Sequence, residues 1–159
     1  MGLFDFLKKK GTMIGSPLTG ECVELAKVND PTFSSGIMGK GVAIIPTDGK
    51  VVAPVDGTVT VIFPTGHAIA MTTEDGMEIL VHVGIDTVQL EGKHFNIIGE
   101  AGQKVKKGTV LVEADIEAIK AEGYDVITPV LICNADKFGE IKGLTGKNVN
   151  AGDDCIEVK

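Results

Sequence analysis

Glycine interrupts this chain so often that little of it can form a long helix. The 159 residues include 21 glycines, recurring at short intervals between runs rich in Val, Ile and Thr. A glycine inside a helix costs about 1 kcal/mol relative to alanine, whereas tight turns favour it. The β-branched residues on either side prefer extended backbone. The pattern predicts an all-β chain: an antiparallel β-sandwich or barrel-like fold of short strands, with at most one or two short helices. Strands are expected near 22–27, 42–46, 50–53, 58–63, 67–72, 77–83, 110–114, 126–133 and 155–158. The clear helical segment is Ile116 to Glu122, with Asp115 as N-cap and Gly123 as its stop.

Two pairs of segments resemble each other and predict internal pseudo-symmetry. Ser16-Pro-Leu-Thr-Gly-Glu-Cys-Val is similar to Ala53-Pro-Val-Asp-Gly-Thr-Val-Thr. Val105 to Gly108 followed by Leu111 to Glu113 parallels Val149 to Gly152 followed by Cys155 to Glu157. These are reused turn-and-strand units, too few and too irregular for a solenoid. The second pair also suggests the hairpin of a lipoyl or biotinyl carrier, but no Met-Lys-Met tip accompanies it.

The length suits one domain, expected over 13–159 behind a flexible N-terminal tail, 1–12. In the tail, Leu3, Phe4 and Leu7 precede Lys8, Lys9 and Lys10. The expectation there is either a disordered end or weak peripheral contact of residues 1–10 with an anionic membrane surface. The Met1 start and the short tail suggest a stand-alone protein. Phe6 occupies the Ser/Thr position of a myristoylation signal, so the Met-Gly start does not fit one. No run of 18 apolar residues occurs, and the formal charge of −7 comes with no broad basic face. A membrane span and a nucleic-acid partner are therefore not expected. Cys22, Cys133 and Cys155 are odd in number and lack CxxC spacing, which predicts buried thiols in a reducing, cytoplasmic setting.

Chemistry concentrates between Phe63 and Val88, where His67 and His82 lie in two apolar runs joined by Glu74-Asp75-Gly76. A hairpin through that turn would bring the two imidazoles to one surface. Alternation places Ile79, Val81, Val83 and Ile85 on a core face, and Leu80, His82 and Gly84 on the other. Thr65, His67 and Ile69 share a face in the same way. The long segment Asn29 to Lys40 carries Phe33, Ile37 and Met38, which either form a binding surface or fold onto the core. His94 has no comparable companion and reads as a solvated loop residue. Two histidines alone make an incomplete metal site, and no HxH or HExxH motif adds ligands. That weighs against a lysostaphin-like metallopeptidase. No nucleophile elbow supports a hydrolase. A phosphoryl acceptor remains, because an imidazole with an ordinary pKa of ~6.5 is nucleophilic at neutral pH. A structural pair of histidines stays equally open on these residues alone.

The residues Lys50-Val-Val-Ala-Pro-Val-Asp-Gly-Thr-Val, Gly66-His-Ala-Ile and Glu78-Ile-Leu-Val-His-Val-Gly-Ile-Asp-Thr-Val resemble the glucose-family enzyme IIA component of the bacterial sugar phosphotransferase system. The likeness covers Ile14 to Val158, and the start MGLFDFLK is similar as well. It implies a flattened antiparallel β-sandwich that shuttles phosphate. It implies that His82 is phosphorylated at Nε2 by the phosphocarrier HPr, with its Nδ1–H oriented by the Gly84 carbonyl. His67 would donate a hydrogen bond to the phosphoryl group, and Thr65 would hold His67. Asp30 and Asp86 would face the basic patch of HPr, within an apolar ring of Phe33, Ile37, Met38, Phe63, Leu80 and Val81. The onward acceptor implied is a cysteine of a IIB domain. Regulatory target proteins for the unphosphorylated form also fit the resemblance. No cofactor is required, and zinc could sit at His67 and His82 if a partner supplied a carboxylate.

Overall fold

A computed structural model describes residues 11–159. The expectations for residues 1–10, membrane contact included, lie outside the described residues. Fourteen strands run in chain order: β1 (Thr12–Gly15), β2 (Gly20–Glu24), β3 (Lys40–Pro46), β4 (Lys50–Val52), β5 (Gly57–Ile62), β6 (Ala68–Thr72), β7 (Glu78–His82), β8 (Phe95–Ile97), β9 (Lys104–Val105), β10 (Val110–Ala114), β11 (Thr128–Ile132), β12 (Ile141–Gly143), β13 (Lys147–Val149) and β14 (Asp154–Val158). Helix α1 (Pro31–Ser34) precedes β3, and α2 (Ile116–Ala121) precedes β11. The all-β, antiparallel expectation holds, with two short α-helices among the described residues. No helix among the described residues is long and apolar enough to cross a membrane.

An eight-stranded sheet runs β13-β2-β3-β11-β7-β6-β5-β9. Two three-stranded sheets, β1-β14-β12 and β4-β10-β8, accompany it. Read outward from the central β11–β7 pair, each half repeats the other: β3 answers β6, β2 answers β5, and β13 answers β9. The small sheets correspond in the same way.

The sequence repeats sit where these halves meet, and their hydrogen bonds match one for one. Gly15 N donates to Pro54 O at 2.8 Å, and Val52 N donates to Pro17 O at 2.8 Å. Gly152 N reaches Ser16 O at 2.8 Å, as Gly108 N reaches Ala53 O at 2.9 Å. Ala151 N donates to Thr19 Oγ1 at 2.9 Å, and Lys107 N to Asp56 Oδ1 at 2.7 Å. Gly108 and Gly152 have φ of 94° and 92°, which explains why both turns use glycine. The carrier-like turns are thus structural, and the Lys107 side chain pairs with Asp154 at 3.6 Å.

Most apolar side chains, among them Ile14, Ile44, Ile79, Leu111 and Ile156, form one buried core. A smaller cluster gathers Val23, Val28, Phe33, Ala43, Ile85, Ile127 and Leu131, with Leu25 and Leu80 packed against it. Alternation explains the division in β3, where Val42 and Ile44 join the main core and Ala43 joins the second cluster. The second cluster floors the functional face.

Some expectations need correction. β2 stops at Glu24, and Leu25–Lys27 form a 3₁₀ turn, because the chain leaves the sheet there and packs Leu25 and Val28 on the second cluster. β1, β8, β9, β12 and β13 have only two to four residues each and are held by partners distant in sequence. Cys133 is exposed just past the end of β11, whereas Cys22 and Cys155 are buried. Helix α2 has the expected cap, with Asp115 Oδ1 accepting from Ala118 N at 3.1 Å and Gly123 at φ 93°.

Candidate functional site

The β6–β7 hairpin forms through Thr73–Met77, but its register does not set the two histidines opposite each other. His82 faces Ala68, and Ile69 faces Val81 in the main core. The shared face expected for His67 and Ile69 is therefore absent. His67 precedes β6 on a tight turn in which Gly66 N donates to Phe63 O at 2.7 Å and Gly66 takes φ 75°. That turn swings the His67 ring beside His82, with centroids 4.9 Å apart and planes at 82°.

Each ring is held at one nitrogen. His82 Nδ1 lies 2.7 Å from the Gly84 carbonyl oxygen. A carbonyl only accepts, so Nδ1 carries the proton and the neutral ring keeps a lone pair on Nε2. His67 Nδ1 lies 2.6 Å from Thr65 Oγ1. A hydroxyl that donates there leaves the ring proton on Nε2.

The Gly84 carbonyl is itself well fixed. Gly84 has φ 78°, and a Cβ on it would lie 2.6 Å from Thr87 Cγ2. Thr87 is buried and donates to Val83 O at 2.5 Å. Asp86 follows at φ 61°. This turn redirects the chain, so Ile85 leaves the face of Ile79, Val81 and Val83 and joins the second cluster.

Burial shifts both imidazoles towards the neutral form. His67 is 3 % exposed, and burial lowers its pKa to about 4, with the nearby His82 adding a smaller push. Burial also lowers His82, while the Gly84 carbonyl and the Asp30 and Asp86 charges act against it. The pH dependence of stability follows. The unfolded chain protonates His67 below its ordinary 6.5, the folded chain only near 4. Between those values the unfolded state binds more protons, so stability falls as the pH drops through that window. The full effect is on the order of 3 kcal/mol. Urea midpoints measured from pH 7 to pH 4 check this. A His67→Gln chain should give a shallower slope, and an unchanged slope would contradict the assignment.

The surrounding residues divide into floor and rim. Phe33 is 5 % exposed, with its ring 4.9 Å from that of His82, so it supports His82 from the second cluster instead of standing in an exposed ring. Val81 is 2 % exposed on the main-core side and is removed from the docking set. Leu80 is half-buried against the second cluster. Ile37, Met38 and Phe63 are exposed, Ile37 at 82 %, and Phe63 stands edge-on to His67 at 5.5 Å. The 29–40 segment thus does both things expected of it: Phe33 folds inward while Ile37 and Met38 stay in solvent. Asp30 caps α1 by accepting from Thr32 N at 3.0 Å, and Asp86 is exposed. Val88, half exposed in the turn after Asp86, is a surface residue the sequence reading missed. Its alternation with buried Thr87 has no signature outside a strand.

His94 is not a free loop residue. Its Nε2 contacts the Glu122 carboxylate at the end of α2, and Lys93 Nζ reaches the same oxygen at 3.3 Å. Those partners hold the Glu122 pKa below its usual value, His94 foremost. Among the described residues no group of three or more His, Cys, Asp or Glu could hold a metal ion.

Over residues 12–138 the chain matches the family described as phosphoenolpyruvate-dependent sugar phosphotransferase system, EIIA 1. It is 46 % identical over 145 residues to a PTS system beta-glucoside-specific EIIBCA component of Halalkalibacterium halodurans, covering 91 % of this chain and 23 % of that protein. It is 44 % identical over 132 residues to a PTS system glucose-specific EIIA component of Staphylococcus epidermidis, covering 83 % of this chain and 80 % of that one. Glucose permease IIA from Mycoplasma capricolum superimposes with a TM-score of 0.85 at 29 % identity, over 96 % of this chain and 98 % of that one. The chain spans less than a quarter of the length of its EIIBCA relatives.

Proposed function

This chain belongs to the EIIA 1 family of the phosphoenolpyruvate-dependent sugar phosphotransferase system, and from that premise we propose that it is a phosphocarrier with His82 as its acceptor. The observation that carries the reading is the His82 Nδ1 contact with the Gly84 carbonyl, which leaves Nε2 unprotonated beside His67. The donor is the phosphohistidine of HPr, docked on Ile37, Met38, Phe63 and half-buried Leu80, with its basic surface towards Asp30 and Asp86. The His82 Nε2 lone pair attacks phosphorus in line. As that N–P bond forms, the N–P bond to the HPr histidine breaks, and its electron pair returns to the donor imidazole. Positioning and electrostatics supply most of what such a transfer needs.

His67 acts through its Nε2–H, which donates to the equatorial oxygens where negative charge spreads. Its low pKa keeps that ring neutral, so it donates without becoming a competing cation. In the second step a IIB cysteine thiolate attacks phosphorus, and the electron pair of the breaking N–P bond returns to His82 Nε2. Exchange between nitrogen nucleophiles of similar strength needs no metal. The two imidazoles would bind zinc only with a carboxylate supplied by a bound partner. The same apolar surface, when His82 is unphosphorylated, suits regulatory target proteins.

The test is incubation with phospho-HPr carrying labelled phosphate. One labelled group per chain is expected, stable in alkali and lost in acid as an N–P bond is. Absence of transfer, or an acid-stable label, would refute the reading.

A further inference from the structure

Strand β8 presses on the functional turn from outside the two-histidine hairpin. A Cβ on Gly66 would lie 2.8 Å from Phe95 Cβ and 3.3 Å from Ile97 Cγ1. The Thr65–His67 turn therefore closes directly over Phe95. Gly92 approaches the same turn, since a Cβ there would lie 3.9 Å from Thr65 Cα. Phe95 is partly buried against the main core, and its N–H donates to the Gly92 carbonyl at 3.2 Å.

The placement of β8 comes from a different sheet from the one holding the histidines. Phe95 pairs with Ala114, and Ile97 pairs with Val112, on β10. Just before β8, His94 adopts φ 74°, a conformation a non-glycine residue seldom takes. Its contact with Glu122 and the 2.9 Å bond from Asp115 N to His94 O tie that backbone to both ends of α2. A buttress thus runs from α2 through His94 and Phe95 to Gly66.

We propose that Phe95 is a positioning residue for phosphoryl transfer, acting through Gly66 to set the His67 ring beside His82. The inference rests on the phosphocarrier reading. The His67 ring is held by its Thr65 contact, by the edge of Phe63 and by the backbone of a turn whose closest approach on the β8 side is to Phe95. Removing the Phe95 ring frees that turn and lets the imidazole drift from the place where phosphoryl oxygens would sit. Misplacement of about 1 Å can cost a positioned group on the order of 100-fold in rate.

The test compares Phe95→Ala, Phe95→Leu and Ile97→Ala in the full chain. For onward transfer from phospho-His82 to a IIB cysteine, Phe95→Ala is expected to lower kcat about tenfold with KM within about twofold, because the docking surface is untouched. The 15N resonance of His67 Nδ1 should move towards that of a ring without a hydrogen bond. Phe95→Leu, which unlike alanine keeps a Cγ against Gly66, should restore both readings. Ile97 is exposed, so Ile97→Ala carries the test if Phe95→Ala fails to fold, with kcat lowered about threefold. Unchanged kcat, unchanged His67 resonances, or a loss confined to KM in a folded variant overturns the proposal. A wild-type chain that takes no phosphate from phospho-HPr refutes the phosphocarrier reading instead, and the His67 resonances still judge the role of Phe95.

Discussion

A His82→Ala chain is expected to accept no phosphate from phospho-HPr, a loss of at least about 10³-fold, because the proposed nucleophile is gone. Neither neighbouring nitrogen can substitute. His67 is nearly inaccessible and has its Nδ1 engaged by Thr65. His94 sits against Glu122 and Lys93. The variant should still fold, since alanine at a half-buried position at the end of β7 leaves the strand pairing intact. What it removes is the ring packed on Phe33, which costs on the order of 1 kcal/mol. Labelled phosphate and a urea titration on the same preparation separate the two effects. A folded variant that still incorporates label at a histidine would sink the assignment.

Substituting His67 by Gln should give a different defect: phosphorylation of His82 continues, while onward transfer to a IIB cysteine falls about 10²-fold or more. A glutamine amide can offer one donor to a phosphoryl group, but from a flexible stem and without the constraint that Thr65 puts on the imidazole. The first step has a reactive donor, and modest misplacement there is tolerated. In the second step a thiolate brings further negative charge to phosphorus, so the equatorial oxygens depend more on a fixed donor. Loss of one well-placed donor typically costs 10²–10³-fold in such sites, roughly the effect expected here. Phospho-His82 should therefore accumulate when the variant is given both partners. Normal onward transfer would remove the stabilising role of His67.

The alternation rule was reliable only inside strands that are paired on both sides. It placed His82 and Leu80 opposite Val81 and Val83 because β7 lies between β6 and β11. It failed at Ile85, three residues past the end of β7, because Gly84 and Asp86 take positive φ and turn the chain away from the sheet. It failed for His67 because the ring is positioned by a turn, and Ile69 follows the strand register instead. The repeats around Pro17 and Pro54 were legible because each must supply the same backbone partners to the opposite half. Strands such as β9 and β12 were not, since two or three residues with one inward side chain apiece are too short to show a pattern and owe their conformation to the strand they pair with. Phe33 and Val81 read alike as apolar residues near the site, yet one lies under His82 and the other faces the main core. Alternation along β7 accounts for Val81, while the packing of α1 on the second cluster is what carries Phe33 under His82. The contact of His94 with Glu122 had no signal at all, for 28 residues separate them.

The pairing of β1 with β14 sets Thr12 against Val158. The described chain therefore comes and goes at neighbouring points on one small sheet, while His82 ends a strand of the large one and His67 lies in the turn just before β6. A longer polypeptide can carry such a unit as a side branch, without having to span it and without threading a linker across the phosphoryl site. That geometry suits relatives in which the matching part is less than a quarter of the whole protein. A tethered acceptor would meet His82 at a concentration governed by the length and stiffness of the linker.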